Sequence, residues 1–284
     1  MSGILEPVGF AAFFRRATAL VRANLEMFVL LAALWAIVNS TFAFPVQTRL
    51  APILERIRGT TDPQVIWTAF GDMAPLLLYL VGLSIVAFGL VAVVWVRSIA
   101  LGRHAALASG FVRRALAVMR RNLALILYAA VLAVAILILL FLLKAVVGLA
   151  VMAFGGAIGT IVRALLLLVL VLLVFTGFVA LIGGFLVASA AVTLDRPASL
   201  FETAMEIPRA NRTVLLAFSF LLLLAVIVTL AGNAAFGLEE GAMPPLWQTV
   251  VMGFFGSAFN LFGLAMGLVA IGGDRDAGKE RAPA

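Results

Sequence analysis

The stretch LALILYAAVLAVAILILLFLL, Leu123–Leu143, decides the fold. Fifteen of its 21 positions are Leu, Ile, Val or Phe, and none is charged. At about −0.4 kcal/mol for each such residue, transfer of this segment into a bilayer as a helix is favourable by roughly 6 kcal/mol. Twenty-one helical residues rise about 31 Å, the thickness of a hydrocarbon core. A span is therefore predicted here, extending to Val147.

Working outward, five more stretches qualify, and the full set is Leu25–Phe44, Ala74–Val96, Leu123–Val147, Ala164–Val192, Val214–Phe236 and Leu246–Ile271. The fourth is long and is expected to tilt, or to bend around Gly177 and Gly183-Gly184. Composition agrees: 65% of residues are apolar and 12% charged, against about 45–50% and 25% in soluble domains. The chain reads as one all-α integral membrane domain over residues 1–284. With no cysteine, disulfides, thiolate metal sites and cysteine nucleophiles are excluded.

Basic residues fall unevenly across these spans. Fifteen lie on the side of both termini and five (Arg49, Arg56, Arg58, Lys144, Arg163) on the other, which predicts cytoplasmic termini. This asymmetry accounts for the +7 net charge without nucleic acid. The preference for Arg over Lys and the abundance of Ala, Leu, Val and Gly suggest a GC-rich bacterial genome and hence the inner membrane. No cleavable signal peptide is expected. Trp95, Tyr79 and Trp247 sit where interfacial anchors belong, whereas Trp35 is mid-span.

A threefold internal repeat underlies the pattern. FFRRATALVRAN (13–24), FVRRALAVMRRN (111–122) and LFETAMEIPRAN (200–211) share Ala17/Ala115/Ala204, Arg22/Arg120/Arg209 and Asn24/Asn122/Asn211, and two spans follow each. The chain divides into repeats near 7–97, 103–192 and 197–272, with a tail at 273–284. Phe10, Phe13, Phe14, Ala17 and Val21 form one helical stripe opposite Arg15 and Arg22, and Phe111, Ala115 and Met119 form another. Amphipathic helices of this kind are expected in the headgroup plane, with Arg toward anionic inner-leaflet lipid. Ser199 and Glu202 have capping-box spacing, and Pro208 is expected to end that helix. Each terminal Asn can cap the following span through its side-chain oxygen. The alternative is that the Arg-Asn pairs contact a lipid headgroup or a partner.

Over Phe185–Ala217, a span end followed by Leu194-Asp195, an amphipathic segment and Arg209-Ala210-Asn211 resembles a six-span bacterial inner-membrane family. That family is related to the membrane domain fused to some glycerophosphodiester phosphodiesterases. The resemblance implies fold and location and carries no catalytic residue. This sequence departs from it in lacking a Pro-Gly at the start of the fourth span and in a longer third-to-fourth connection. No soluble phosphodiesterase domain is expected from these residues.

Chemistry-bearing motifs are missing. No Walker loop, dinucleotide fingerprint, Gly-x-Ser-x-Gly or His-Glu-x-x-His occurs. His104 is the only histidine and has no acidic neighbour with which to hold a metal. Glu239-Glu240 reads as a solvated acidic turn, with weak cation binding as the alternative. No enzyme activity, cofactor or metal is expected. Asn39 and Asn260 are the deepest strongly polar groups. Asn260 lies on a small-residue stripe with Gly253, Gly256, Gly263 and Gly267, expected to be a helix-packing seam with the Asn bonding across it. Two further amphipathic helices, carrying Leu50, Ile53, Leu54 and Ile57 and then Val65, Ile66 and Phe70 after Asp62-Pro63, are expected on the outer leaflet. The apolar Gly155–Gly159 connection is expected to be re-entrant or a close-packed turn.

Two function classes follow. One is a non-enzymatic scaffold or partner subunit with basic amphipathic helices on the inner leaflet, and the absence of buried charge favours it. The other is a small transporter or lipid-translocating protein, favoured by the repeat and by the glycines of the fourth span.

Overall fold

In hydrocarbon, backbone N–H and C=O groups find partners only within their own helix or in a closed barrel, so a chain this apolar folds as helices. The computed structural model describes residues 5, 9–105, 107, 109–154, 156–210, 212–235 and 245–273. Among them are eight α-helices and no strand. They are α1 (Phe10–Ala23), α2 (Leu25–Ile57), α3 (Pro63–Leu101), α4 (Phe111–Phe154), α5 (Gly156–Thr193), α6 (Leu200–Ala210), α7 (Arg212–Ala235) and α8 (Leu246–Ala270). Six of these, all but α1 and α6, are long and apolar enough to cross a membrane. This is an all-α polytopic membrane fold, as the sequence predicts.

Helix lengths depart from expectation. α7 and α8 have 24 and 25 residues, about 36 Å, close to a bilayer core of about 30 Å. α2, α3, α4 and α5 run to 33, 39, 44 and 38 residues, about 50–66 Å. The surplus absorbs segments expected to be separate. The two outer-leaflet helices are the end of α2 and the start of α3. They pack on each other through Leu50, Ile53, Ala69 and Met73 instead of lying on lipid, and Arg56 pairs with Asp72 at 3.0 Å. Asp62 caps α3 by accepting from the Gln64 N–H, with Pro63 in the first turn. Gly156–Gly159 form the first turn of α5 rather than a loop.

The amphipathic segment Phe111–Asn122 is the first quarter of α4, unbroken into the span. Only α1 and α6 are separate short helices, and Pro208 lies inside α6 rather than after it. Each of the three turns part of its apolar surface into the protein, although Phe10 stays exposed. Phe13, Ala17, Ala115, Val118, Ala204 and Ile207 are all buried in protein. α1 packs on α8 and α7, the start of α4 on α3, and α6 on α5. The shared alanine marks a close approach in two of these contacts. A β-carbon added at Gly184 would lie 2.7 Å from the Ala204 Cα, and one at Gly89 would lie 3.2 Å from the Ala115 carbonyl oxygen. Gly184 therefore makes room for α6, and Gly183 chiefly for Phe218 of α7; neither breaks α5, which is continuous.

The core sits at one end of the molecule. α3, α5 and α8 converge there through Trp95, Val96 and Ile99, Leu186 to Val192, and Leu261 to Ile271. Trp95 is fully buried and donates from Nε1 to the Leu261 carbonyl at 2.7 Å; it is a core strut, not an interfacial anchor. Tyr79 and Trp247 are exposed. Away from this end the bundle loosens, and from Leu123 to Val146 α4 has no buried residue.

Candidate functional site: a basic cleft between α4 and α6

The converging helices α3, α5 and α8 end alike. Each is followed by one residue with positive φ: Gly102 (φ 92), Asp195 (φ 59) and Gly272 (φ 67). Glycine adopts this backbone freely and Asp tolerates it better than most residues. The carboxylate of Asp195 is thereby placed beside α4. Arg114 donates to both its oxygens, from Nη2 to Oδ2 at 2.7 Å and from Nε to Oδ1 at 3.1 Å, and Arg113 reaches Oδ1 at 3.0 Å. The Arg114 hydrogen bonds hold the Asp195 carboxyl below the usual carboxylate range. Partial burial opposes them, and the charges of Arg114, Arg113 and Arg97 add to the lowering.

Other arginines of this end neutralise helix C-termini. Arg97 donates to the Thr193 carbonyl at the end of α5, and Arg196 to the Ile271 carbonyl after α8. These carbonyls have no partner within their own helix, and a cation there also meets the negative end of the helix dipole. Arg121 donates from Nε to the Ala198 carbonyl at 3.1 Å and from Nη1 to the Ala117 carbonyl at 3.0 Å. It thus ties the turn before α6 to α4.

This tie frames a cleft of about 760 Å³ between α4 and α6. Arg120, Arg121, Tyr128, Ser199 and Glu202 line it, and the Tyr128 and Phe201 rings lie 5.9 Å apart. α6 begins just after Ser199, where the capping-box spacing placed it. Arg120 is exposed and accounts for no internal contact among those described. Beside the cleft, α4 shows an exposed apolar face of Leu123, Leu127 and Val131. The arrangement can hold an anion at the guanidinium and N-terminal N–H groups while an apolar tail follows α4.

The predicted site residues do not form one mouth. Arg22, Arg120 and Arg209 are exposed on three different helices, α1, α4 and α6. Asn122 is inside α4, and Asn211 lies outside the described residues. Asn24 stands between α1 and α2, but its Nδ2 donates backward to the Leu20 carbonyl at 2.9 Å. It closes the end of α1 and makes no side-chain cap on α2. The Asp195 cluster was not foreseen; Leu194-Asp195-Arg196 beside Leu101-Gly102-Arg103 was the available signal.

The stripe on α8 divides. β-Carbons built at Gly263 and Gly267 would meet Leu186 on α5 at 2.7 and 2.8 Å, the latter at its backbone oxygen. One at Gly253 would meet the Ser40 Oγ on α2 at 3.1 Å, and Gly256 faces open space. Asn260 is exposed and donates to the Gly256 carbonyl of its own helix at 3.0 Å, so it does not bond across the packed face. His104 is exposed in the turn after α3. No group of three metal-ligating side chains occurs among the described residues.

Fold and site together define a polytopic membrane protein with a basic cleft at the tightly packed end of its bundle. Compared with protein-family models, curated proteins and solved structures, the chain matches none.

Proposed function

We propose that this is a non-enzymatic bacterial inner-membrane protein, with cytoplasmic termini, that holds an anionic phospholipid of the inner leaflet in the cleft between α4 and α6. It acts as a scaffold or partner subunit built around that lipid. The carrying observation is Arg120, exposed beside Arg121 and the start of α6, in a cleft next to an apolar face of α4. Charge supplies the headgroup contact and the helix face the acyl contact, the two requirements of lipid binding. Glu202 also lines the cleft and opposes anion binding, so its neutralisation should strengthen retention. The resemblance to the phosphodiesterase-linked membrane family and the threefold repeat both fit a chain specialised for the bilayer.

The test is lipid retention by native mass spectrometry after purification in nanodiscs containing phosphatidylglycerol and phosphatidylcholine. Wild type should retain phosphatidylglycerol. Arg120→Gln should lose it, and Glu202→Gln should retain more. Equal retention of both lipids, or no effect of Arg120→Gln, would refute the proposal.

Transport or lipid translocation is the second reading, supported by a polar cavity toward the opposite end of the bundle. Between the two regions lie the buried Trp35, Phe88, Phe185 and Trp95, so passage requires this layer to move. The scaffold reading needs no such motion.

A further inference from the structure

Toward the end opposite the basic cleft, residues of α2, α7 and α8 line an open cavity of about 360 Å³ that shares no residue with that cleft. Asn39, Ser40 and Gln47 come from α2, Asn233 from α7, and Gln248 and Thr249 from α8. Counting about 1.5 Å per residue, Asn39 stands roughly 22 Å along α2 from Asn24, and Gln248 roughly 33 Å along α8 from Ala270. The cavity thus begins in the far third of a hydrocarbon layer about 30 Å thick and reaches its boundary.

The polar atoms of this lining that are shielded from water are costly unless hydrogen-bonded. The protein satisfies them only in part: Thr249 Oγ1 donates to the Pro245 carbonyl at 3.4 Å, and Asn233 is exposed. Ser40 Oγ donates to the Thr249 carbonyl at 3.3 Å, but Asn39 Oδ1 and Gln248 Oε1 are buried and accept no hydrogen bond from the protein. Asn24 and Asn260 show the alternative, each amide donating to the carbonyl four residues back on its own chain. Two shielded acceptors on different helices, lining one cavity, need a donor from outside the protein.

The lining also sets the ligand's chemistry. Among the described residues that line it there is no Asp, Glu, Lys or Arg, so these residues offer an ionised ligand no counter-charge; Glu239 and Glu240 lie outside the described residues. Amides and hydroxyls supply both donors and acceptors, and Ala43 and Met252 supply apolar wall. The volume falls at the small end of ligand pockets, which run about 300–1,000 Å³. We infer that this cavity binds an uncharged polyhydroxyl group of sugar or glycerol type, either free or as the headgroup of a neutral glycolipid.

The experiment uses the full chain in nanodiscs, with saturation-transfer NMR reading free glucose and glycerol. A second arm measures retention of glucosyl-diacylglycerol by native mass spectrometry. Saturable binding in either arm supports the site, and the arm that responds identifies the source. Gln248→Leu should weaken it by about tenfold or more, the worth of a hydrogen-bonding partner lost from a buried contact. Asn260→Leu, exposed on the same helix and outside the lining, should leave it unchanged. If Gln248→Leu does not fold, Gln47→Leu at the mouth carries the same expectation. Absence of saturable binding in both arms would show a cavity that holds water only and would overturn the inference. So would wild-type affinity in the folded lining variants.

Discussion

Replacing Gly184 by Ala adds one methyl group at the closest backbone approach between α5 and α6. Its carbon would lie 2.7 Å from the Ala204 Cα and Cβ and 2.8 Å from the Ala204 N, where ordinary contact begins at 3.4 Å. Two of the three atoms are backbone, so no side-chain rotation relieves the clash, and α6 must recede by about 0.7 Å or more. Overpacking of this kind costs about 1–3 kcal/mol, offset in part by up to about 1 kcal/mol from Ala over Gly in a helix. Gly256→Ala on α8 is the control: its new methyl meets nothing within 4 Å, leaving only the helix-propensity gain. The two variants should differ by about 2 kcal/mol, or roughly 4–8 °C in thermal unfolding, measured in one detergent. Because α6 carries Ser199–Glu202 at its start, Gly184→Ala should also reduce retention of phosphatidylglycerol. Equal melting temperatures, or a lower one for Gly256→Ala, would refute the account of α5–α6 packing.

Three further outcomes are expected. Asp195→Asn keeps a residue that tolerates positive φ but removes the acceptor of Arg113 and Arg114, and should lower stability at neutral pH. Since the folded pKa of Asp195 is lowered, its contribution is present above the unfolded value of about 3.9 and is lost as pH falls through the lowered folded value. Wild type and Asp195→Asn should therefore converge in melting temperature on acidification, and a constant gap would contradict the pairing. Trp95→Phe, which deletes the 2.7 Å bond to the Leu261 carbonyl, should destabilise by about 1–2 kcal/mol, and an unchanged thermal midpoint would count against that strut. Alkaline phosphatase fused after Thr61 should be active and fused after Arg281 inactive; the reverse would invert the orientation.

Six helices long and apolar enough to cross a membrane, and the ends of them that are basic, are legible in the sequence alone. Both are sums along the chain: insertion depends on the apolar residues within one segment, as in Leu123–Leu143, and basic residues count by the loop that holds them. Which face of each helix is buried was decided only by tertiary structure. In water an apolar stripe marks the core side, but a spanning helix is apolar all round, so period 3.6 loses that information. Hence Trp95 read as an anchor and is a core strut, and Asn260 read as a packing contact and faces outward. Gly184 read as a bend, while its role is the room it leaves for Ala204. Asn39 and Gln248 are far apart in sequence and on different helices, so nothing local connects them. Packing of α2 against α8 brings them to one cavity, and whether a buried amide finds a partner depends on the neighbouring helix, which the sequence of either helix does not contain.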